Sequence, residues 1–566
     1  MADETITPRR IADEHVARVA ALDPMVSTWL GLHPEDQRQP DLSPEGYQAV
    51  AELNRRALAD LDAAEAAAGA TPPDPAEQVC ARLLRERLTA ALAVQDAGDN
   101  LRQLRNVASP VHQVREILTL MPTDREEDWA AVAGRLRNLP GALDGYRATL
   151  AEGISRGLLS APRQAAVVAE QLTAWTGEAA GRGGGDGWFV GFAAGGPERL
   201  RPELDSAARR ATAAVAGFRD WLRATYLPAA AGVPDAVGEE RYLRAVRFGT
   251  GADLDVAEAY DWAWEEFHRL RGEMAAEAER VLPGTGPLEA MRHLEENGHA
   301  IKGEEAVRDW LQQLMDGAIE ALDGTHFDIR GPVRRVESRI APPGSSAAAY
   351  YSAPSLDFSR PGRTYLPTLG RDTFPTWQLV STWYHEGVPG HHLQLAQWNH
   401  VADRLSTYQV TLGKVSANLE GWALYSERLM DDLGFFAEPA HRLGFLDEQM
   451  LRTIRVVIDI GMHLRLPVPA GSGFHPGETW TPDLATEFMA TYNGSPEPTR
   501  TSEINRYLGW PGQAIGYKLG ERAWLRGREA ARARLGADFD LKAWHMKALS
   551  QGSLGLDDLT GNLAAL

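Results

Sequence analysis

The sequence predicts a large, mainly α (α+β) protein, a two-lobed, multi-helix architecture with one small antiparallel sheet. Long segments rich in Ala, Leu, Glu and Arg have helical periodicity, and short β-rich runs with turns between them are confined to residues 333–366. At 566 residues the chain exceeds one ordinary core, so several subdomains are expected. We predict an N-terminal helical lobe at 1–200, a helical connecting region at 201–330 and a catalytic region at 331–566.

The composition is that of a soluble globular protein, with 44% hydrophobic and 24% charged residues. A net charge of −20 argues against nucleic acid or an anionic membrane as partner, because their phosphates would be repelled. The N-terminus is polar, and no run of about 18 apolar residues occurs. The single cysteine, Cys80, excludes a cysteine-rich zinc site and fits a reducing compartment. We therefore expect a cytoplasmic protein.

Helical patterns fill most of the chain on both sides of the predicted sheet. The predicted helical stretches are 44–223, 256–282, 303–322, 412–433, 441–464, 481–492, 513–534 and 539–550. The glycine-rich segment Gly177–Gly196 is interpreted as a mobile loop or hinge.

Three short β-rich runs predict the sheet. They are Arg335–Ile340, Ala347–Tyr351 and Arg363–Leu366, with a turn at Pro342–Gly344. The edge of such a sheet could pair with an extended peptide, and a purely structural hairpin is the alternative.

The stretch Thr382–Gln394 contains the strongest chemical signal, a His385-Glu386 pair followed by His391 and His392. Zinc hydrolases of the H-E-x-x-H type place two histidine ligands one helical turn apart, with a glutamate base between them. Here the position one turn after His385 is Pro389, so the standard spacing fails.

A local distortion of the helix restores the geometry. We predict one helix through this stretch, with Asp372 and Thr373 as caps and Pro375 in its first turn. On an unbroken helix His391 would lie about 240° round from His385. A bulge at Pro389–Gly390 would absorb two residues and return His391 to the ligand position. His392 would need a three-residue bulge, so it ranks second.

A third ligand is expected on a separate helix downstream. Glu420 follows His391 by 29 residues, and Gly421 would let its helix pack closely. His385, His391 and Glu420 would then hold one zinc ion per chain, with Glu386 as general base. Glu427 could orient a ligand histidine, but we favour a surface carboxylate paired with Arg428 or Arg455.

Hydrolysis of an amide also needs a donor for the developing oxyanion. His463, Tyr507 and Tyr517 are the natural donors in two later motifs. Arg506 or Lys518 could hold a substrate carboxylate.

Four ordered motifs carry a resemblance that covers nearly the whole chain. They are His-Glu-Gly-Val-Pro-Gly-His-His-Leu-Gln, Leu-Glu-Gly-Trp-Ala-Leu-Tyr-Ser-Glu, Asp-Ile-Gly-Met-His and Trp-Pro-Gly-Gln-Ala-Ile-Gly-Tyr-Lys-Leu-Gly. Together they resemble the bacterial domain of unknown function 885 family. The resemblance implies a mostly helical zinc metallopeptidase similar to neurolysin-like gluzincins, with a deep cleft.

By the same resemblance, the site residues take specific roles. His385, His391 and Glu420 become metal ligands and Glu386 the base. The resemblance further implies that His463, Tyr507 and Tyr517 lie in the cleft.

The expected function is zinc-dependent hydrolysis of peptide bonds in short peptides, with a peptide or small amide as the partner. Two alternatives stay open. One is a catalytically inactive peptide-binding protein of the same fold, and the other is a metal hydrolase of a non-peptide amide.

Overall fold

The computed structural model describes residues 6–68, 74–178, 186–342 and 348–566. The chain divides into two compact units. The first comprises Met1–Pro73, Arg87–Val237 and Ser502–Trp510, and the second comprises Asp74–Glu86, Gly238–Thr501 and Pro511–Leu566. The predicted boundaries at 200 and 330 do not coincide with this division. Segments distant in sequence share a unit, which local composition does not reveal.

Helices dominate the described residues, as predicted. In the first half of the chain they are α1 (Pro8–Leu22), α2 (Pro24–Trp29), α3 (Pro44–Ala68), α4 (Pro75–Asp96), α5 (Pro110–Leu120), α6 (Glu126–Ser155), α7 (Pro162–Trp175), α8 (Trp188–Ala193), α9 (Arg201–Trp221), α10 (Leu227–Ala229), α11 (Glu239–Thr250), α12 (Val256–Val281) and α13 (Pro287–Asn297). Many begin at a proline, whose fixed φ suits the first helical turn and whose missing N–H would have had no partner there.

The second half of the chain has the same character. Its helices are α14 (Glu304–Leu322), α15 (Leu379–Glu386), α16 (His391–His400), α17 (Thr407–Val410), α18 (Ser416–Asp432), α19 (Pro439–Leu464), α20 (Pro482–Tyr492), α21 (Glu497–Gly509), α22 (Gly516–Leu535), α23 (Leu541–Leu549) and α24 (Leu556–Ala565). Among the described residues, no helix combines the length and apolar character needed to cross a membrane.

The core of the first unit lies where α6 packs against α9 and α5. Large side chains fill it, among them Trp129, Tyr146, Phe189 and Phe218. Of the segment Gly177–Gly196, predicted to be a mobile loop or hinge, residues 179–185 lie outside the described residues. Trp188–Ala193 of the same segment form the short helix α8, so the loop prediction was wrong there.

In the second unit α18 packs along α22, and α19 along α12. A Cβ atom on Gly421 would lie 2.4 Å from the carbonyl carbon of Gly520, so both positions need glycine for this approach. The prediction that Gly421 permits close packing of its helix is confirmed.

Five short strands form two small sheets. They are β1 (Ala300–Lys302), β2 (Val336–Ile340), β3 (Tyr350–Ser352), β4 (Gly362–Leu366) and β5 (Thr373–Pro375). β1 and β5 pair antiparallel, and the other sheet has the order β2-β4-β3. The antiparallel prediction is right for β3 with β4 but wrong for β2 with β4, which run parallel.

Part of the predicted hairpin cannot be compared. Pro343 and Gly344 of the predicted turn, and Ala347 of the second predicted run, lie outside the described residues. One edge of the larger sheet is covered, because Gln312 of α14 donates to the Val336 carbonyl at 3.1 Å and accepts from the Ser338 N–H at 2.7 Å.

Candidate metal centre

The His-Glu pair lies at the end of a short helix rather than inside a long one. Helix α15 starts at Leu379, so the prediction of caps at Asp372 and Thr373 with Pro375 in the first turn was wrong. Thr373–Pro375 is strand β5 instead, and it pairs with β1 from far upstream in the chain. Helix α15 ends at Glu386, immediately after His385.

A four-residue junction, Gly387–Gly390, separates α15 from α16 and contains a cis Val388–Pro389 peptide. The Gly390 N–H donates to the Tyr384 carbonyl at 3.0 Å, and a Cβ on Gly390 would lie 1.9 Å from the His385 carbonyl oxygen. The Trp422 indole N–H donates to the carbonyls of Pro389 (2.9 Å) and Gly390 (3.1 Å). The structure therefore breaks the helix where a bulge was predicted.

The break brings His391 beside His385 and Glu420. One ligand atom from each of these side chains lies within 4.8 Å of the other two. Nε2 of His385 and Nε2 of His391 are 3.4 and 3.5 Å from Oε2 of Glu420. The two imidazole rings meet edge to face, with centroids 4.8 Å apart. Three helices, α15, α16 and α18, thus each supply one side chain to a common point.

His392 points away from this point. Its Nε2 lies 2.7 Å from the Val333 carbonyl and its Nδ1 lies 2.9 Å from the Tyr351 hydroxyl. Because the carbonyl can only accept, Nε2 carries the proton and Nδ1 accepts from Tyr351. Burial lowers the pKa of His392 to about 4, so the ring is neutral. Both of its nitrogens are occupied, which agrees with ranking His391 first.

Glu427 fixes the orientation of His385. Its Oε1 lies 2.6 Å from Nδ1 of His385, and its Oε2 accepts from the Ser381 hydroxyl at 2.8 Å. The interpretation of Glu427 as a surface carboxylate was wrong, since its side chain is only 1% exposed and Arg428 pairs with Glu521 instead. With Nδ1 held by a carboxylate, Nε2 of His385 faces the other two side chains.

The site attracts positive charge. Burial by itself would lower the pKa of His385, but hydrogen bonds to Glu420 and Glu427 raise it to about 10. Burial would raise the pKa of Glu420, but His385 and His391 hold it well below its usual range. When His385 is protonated, its proton supplies the positive charge between the imidazole ring and the carboxylates of Glu420 and Glu427. Two imidazoles and a carboxylate, with a second carboxylate behind, are also the ligands that zinc prefers, so the residues fit a dication.

Glu386 borders the same cluster but is not engaged by it. Its side chain is partly exposed and makes no hydrogen bond to another described residue. Burial, followed by the nearby Glu420 carboxylate, raises the pKa of Glu386, while His391 and His385 oppose the shift. A carboxylate with a raised pKa and open lone pairs is suited to accept and return a proton.

The three predicted oxyanion donors have different surroundings. His463 is buried against the Tyr242 ring, with centroids 5.3 Å apart, and lies 3.8 Å from Asp459. Tyr507 belongs to the first unit, where its buried hydroxyl donates to Glu503. Tyr517 is half-buried and interacts electrostatically with Arg452, which in turn interacts with Glu420. Tyr517 and Glu420 thus share Arg452 as an electrostatic partner, and the oxyanion role of all three residues stays a prediction.

The two predicted substrate-binding cations are engaged elsewhere. Arg506 donates to Glu503 at 2.9 Å. The Lys518 ammonium is fully buried and lies 2.9 Å from Glu266 and 2.6 Å from Glu521. Both cations are therefore paired with carboxylates of the protein itself, and their role in holding a substrate carboxylate stays a prediction.

Sequence reasoning missed Arg452, a cation of α19 whose electrostatic partners include Glu420 and Glu427. The signal that could have found it is a pair of arginines, Arg452 and Arg455, three residues apart in a stretch of α19 whose sequence neighbours are mostly apolar. Leu451 and Ile454 beside them are buried.

Loss of the Glu427 charge should weaken the metal centre without removing a ligand. We expect Glu427→Gln to lower zinc affinity by about 10- to 100-fold, the usual effect of losing a carboxylate partner of a ligand histidine. Competition with a chromophoric chelator measures the affinity. Exposed Glu320 on α14 provides the control, Glu320→Gln. Unchanged affinity in Glu427→Gln would show that His385 needs no such support.

Comparison with known proteins places the chain among proteins of unknown function. A crystal structure of the putative lipoprotein from Colwellia psychrerythraea matches with a TM-score of 0.83 and 21% identity, covering 99% of this chain and 98% of that one. A putative lipoprotein of unknown function from Shewanella oneidensis matches with a TM-score of 0.70 and 19% identity, covering 98% and 99%. No curated protein matches significantly.

These likenesses establish the fold. The descriptions of both neighbours as lipoproteins run against the predicted cytoplasmic location, which is not retained. The model of one bacterial family, described as bacterial protein of unknown function (DUF885), matches residues 24–563. Since that match spans nearly the whole sequence, the chain belongs to the DUF885 family.

Proposed function

We propose that this protein is a zinc-dependent hydrolase that cleaves peptide bonds in short peptides. The observation that carries the proposal is the convergence of His385, His391 and Glu420 within 4.8 Å, with the carboxylate of Glu386 beside them. Two histidines and one glutamate are a donor set of catalytic zinc sites in peptidases.

His385, His391 and Glu420 would hold the ion. When bound, zinc supplies Lewis-acid chemistry, lowering the pKa of a water toward about 7 and polarising the carbonyl group that is attacked. Glu427 keeps Nδ1 of His385 occupied at 2.6 Å, so that Nε2 is presented to the ion.

Glu386 moves the proton in this proposal. Its carboxylate takes a proton from the attacking water and returns it to the nitrogen of the leaving amine, so that the C–N bond breaks without releasing an amide anion. The raised pKa of Glu386 makes its carboxylate a stronger base than an ordinary glutamate, which suits the step that takes the proton from water.

A peptide library tests the proposal directly. We expect the zinc-loaded protein to cleave members of a mixed library of four- to eight-residue peptides, detected by mass spectrometry. A chelator should abolish cleavage, and added zinc should restore it. Binding of library peptides without any cleavage would favour the inactive peptide-binding alternative. Cleavage of small amides but of no peptide would favour a metal hydrolase of another amide.

A further inference from the structure

Arg452 is a nearly buried cation that interacts electrostatically with the carboxylates of the metal centre. It lies on α19, which packs against α15 and α18, the helices that carry Glu386, Glu420 and Glu427. Its side chain is 13% exposed, the same fraction as that of the ligand histidine His391. All three glutamates interact with it electrostatically. A substrate that reaches Glu386 therefore enters the electrostatic field of Arg452.

The hydrogen bonds of Arg452 are incomplete within the described part of the chain. Its Nη1 contacts the Glu448 carboxylate and lies 3.3 Å from the Glu448 carbonyl. Its Nε is buried and has no hydrogen-bond partner among the described residues. A guanidinium offers five donors in a planar fork, and a buried donor without an acceptor costs free energy. An incoming acceptor at this edge would remove that cost.

A second arginine increases the attraction for an anion. Arg455 is three residues on, 7% exposed, and its guanidinium lies 4.6 Å above the ring of Tyr517. Burial, followed by the charge of Arg455, lowers the pKa of Arg452. Two adjacent, largely buried cations repel each other. The Glu448 carboxylate offsets part of this repulsion, and a substrate anion at the open edge of Arg452 would offset more of it.

We propose that Arg452, with Arg455 beside it, binds a carboxylate of the peptide substrate, and that this carboxylate is the free C-terminus. The planar guanidinium fork matches a carboxylate in a bidentate pair. Because Arg452 interacts electrostatically with Glu386, cleavage falls close to the C-terminal end. The substrate class is thus short peptides with an unblocked C-terminus. This inference rests on the proposed function, since it concerns the substrate of the same site.

Equilibrium binding tests the inference without relying on turnover. Zinc-loaded Glu386→Gln protein is titrated calorimetrically with three probes. They are pentaalanine with a free C-terminus, its C-terminal amide, and an amidated pentapeptide that ends in glutamate. We expect the free acid to bind at least about tenfold more tightly than pentaalanine amide. Preference for the glutamate-containing amide instead would move the anion site to a side chain and overturn the C-terminal assignment.

Variants separate substrate binding from a purely electrostatic role. Added to this background, Arg452→Gln should weaken binding of the acid to the level of the amide and leave the amide unchanged. Arg452→Lys should give an intermediate preference. The exposed Arg465, which follows α19, provides the control variant Arg465→Gln. A melting temperature for each variant verifies folding. If Arg452→Gln does not fold, Arg452→Lys decides: a smaller preference for the free acid over the amide supports the inference, and an unchanged preference overturns it.

Two results would contradict the inference. The first is that protein with Arg452 intact binds the free acid and pentaalanine amide equally well. Equal weakening of both by Arg452→Gln is the other, because it would mean that Arg452 only neutralises the carboxylates of the metal centre. Tight binding of the acid together with no cleavage by the wild type would support the anion site and contradict the proposed hydrolysis, so the two failures are distinguishable.

Discussion

Replacing Glu386 with glutamine is expected to lower kcat/KM for peptide cleavage by about 10²- to 10⁴-fold while zinc content stays near one ion per chain. Glutamine has nearly the same shape but cannot accept the proton of the attacking water. Zinc content should persist because the ligand atoms belong to His385, His391 and Glu420. Initial rates on the best library peptide give kcat/KM, and elemental mass spectrometry gives the metal content.

The matched control for this variant is Glu320→Gln, which makes the same chemical change at an exposed position of α14. Its kcat/KM should equal that of the wild type. Full activity in Glu386→Gln would remove Glu386 from the proton-transfer role and leave the proposed mechanism without a base. Loss of zinc together with activity would instead make Glu386 part of metal binding.

Loss of zinc is the second large effect we expect, in each of His385→Ala, His391→Ala and Glu420→Ala. Each substitution removes one of three protein ligands. The affinity should therefore fall by more than the roughly 100-fold that loss of a supporting carboxylate costs. Elemental mass spectrometry of the purified variants should show about one zinc in the wild type and close to none in all three.

His392→Ala is an informative control because it removes the adjacent histidine of the same helix. It should keep its zinc, although the Val333 carbonyl and the Tyr351 hydroxyl would lose a partner at a cost of about 1–3 kcal/mol in stability. A folded His392→Ala protein without zinc, beside a His391→Ala protein that keeps it, would reverse the ligand assignment. Wild type that takes up no zinc would rule out the metal centre.

Local signals were enough to predict most of the helices. The predicted helices at 256–282, 303–322 and 441–464 differ from α12, α14 and α19 by at most two residues at each end. The Asp255 side chain, for example, accepts from the N–H groups of Ala257 and Glu258, a cap visible in the sequence. Pairing between distant strands is not visible in this way. It turned the expected start of α15 into β5 and made β2 and β4 parallel.

The candidate site likewise has residues that local sequence predicts and residues whose environment depends on tertiary packing. Helix geometry and spacing selected His391 and Glu420, and the structure brings both to His385. The environments of Glu427 and Lys518 were not predictable, because their burial depends on how α18 packs against α15 and α22. From sequence alone, a glutamate next to an arginine, such as Glu427 beside Arg428, is interpreted as part of an exposed ion pair, because charged residues are mostly exposed.

The junction between α15 and α16 changes what sets the distance between the two histidine ligands. In an unbroken helix the number of residues per turn alone sets the angle between the two histidines around the helix axis. One inserted residue would rotate the second histidine by about 100°. Here the relative orientation of the two histidines depends on the contacts that anchor Gly387–Gly390. These contacts come from the Trp422 indole and from the Met315 sulfur, which lies 3.2 Å from the Val388 nitrogen. Selection for metal binding would therefore act on Trp422 and Met315, residues that offer no ligand atom and lie outside the histidine motif.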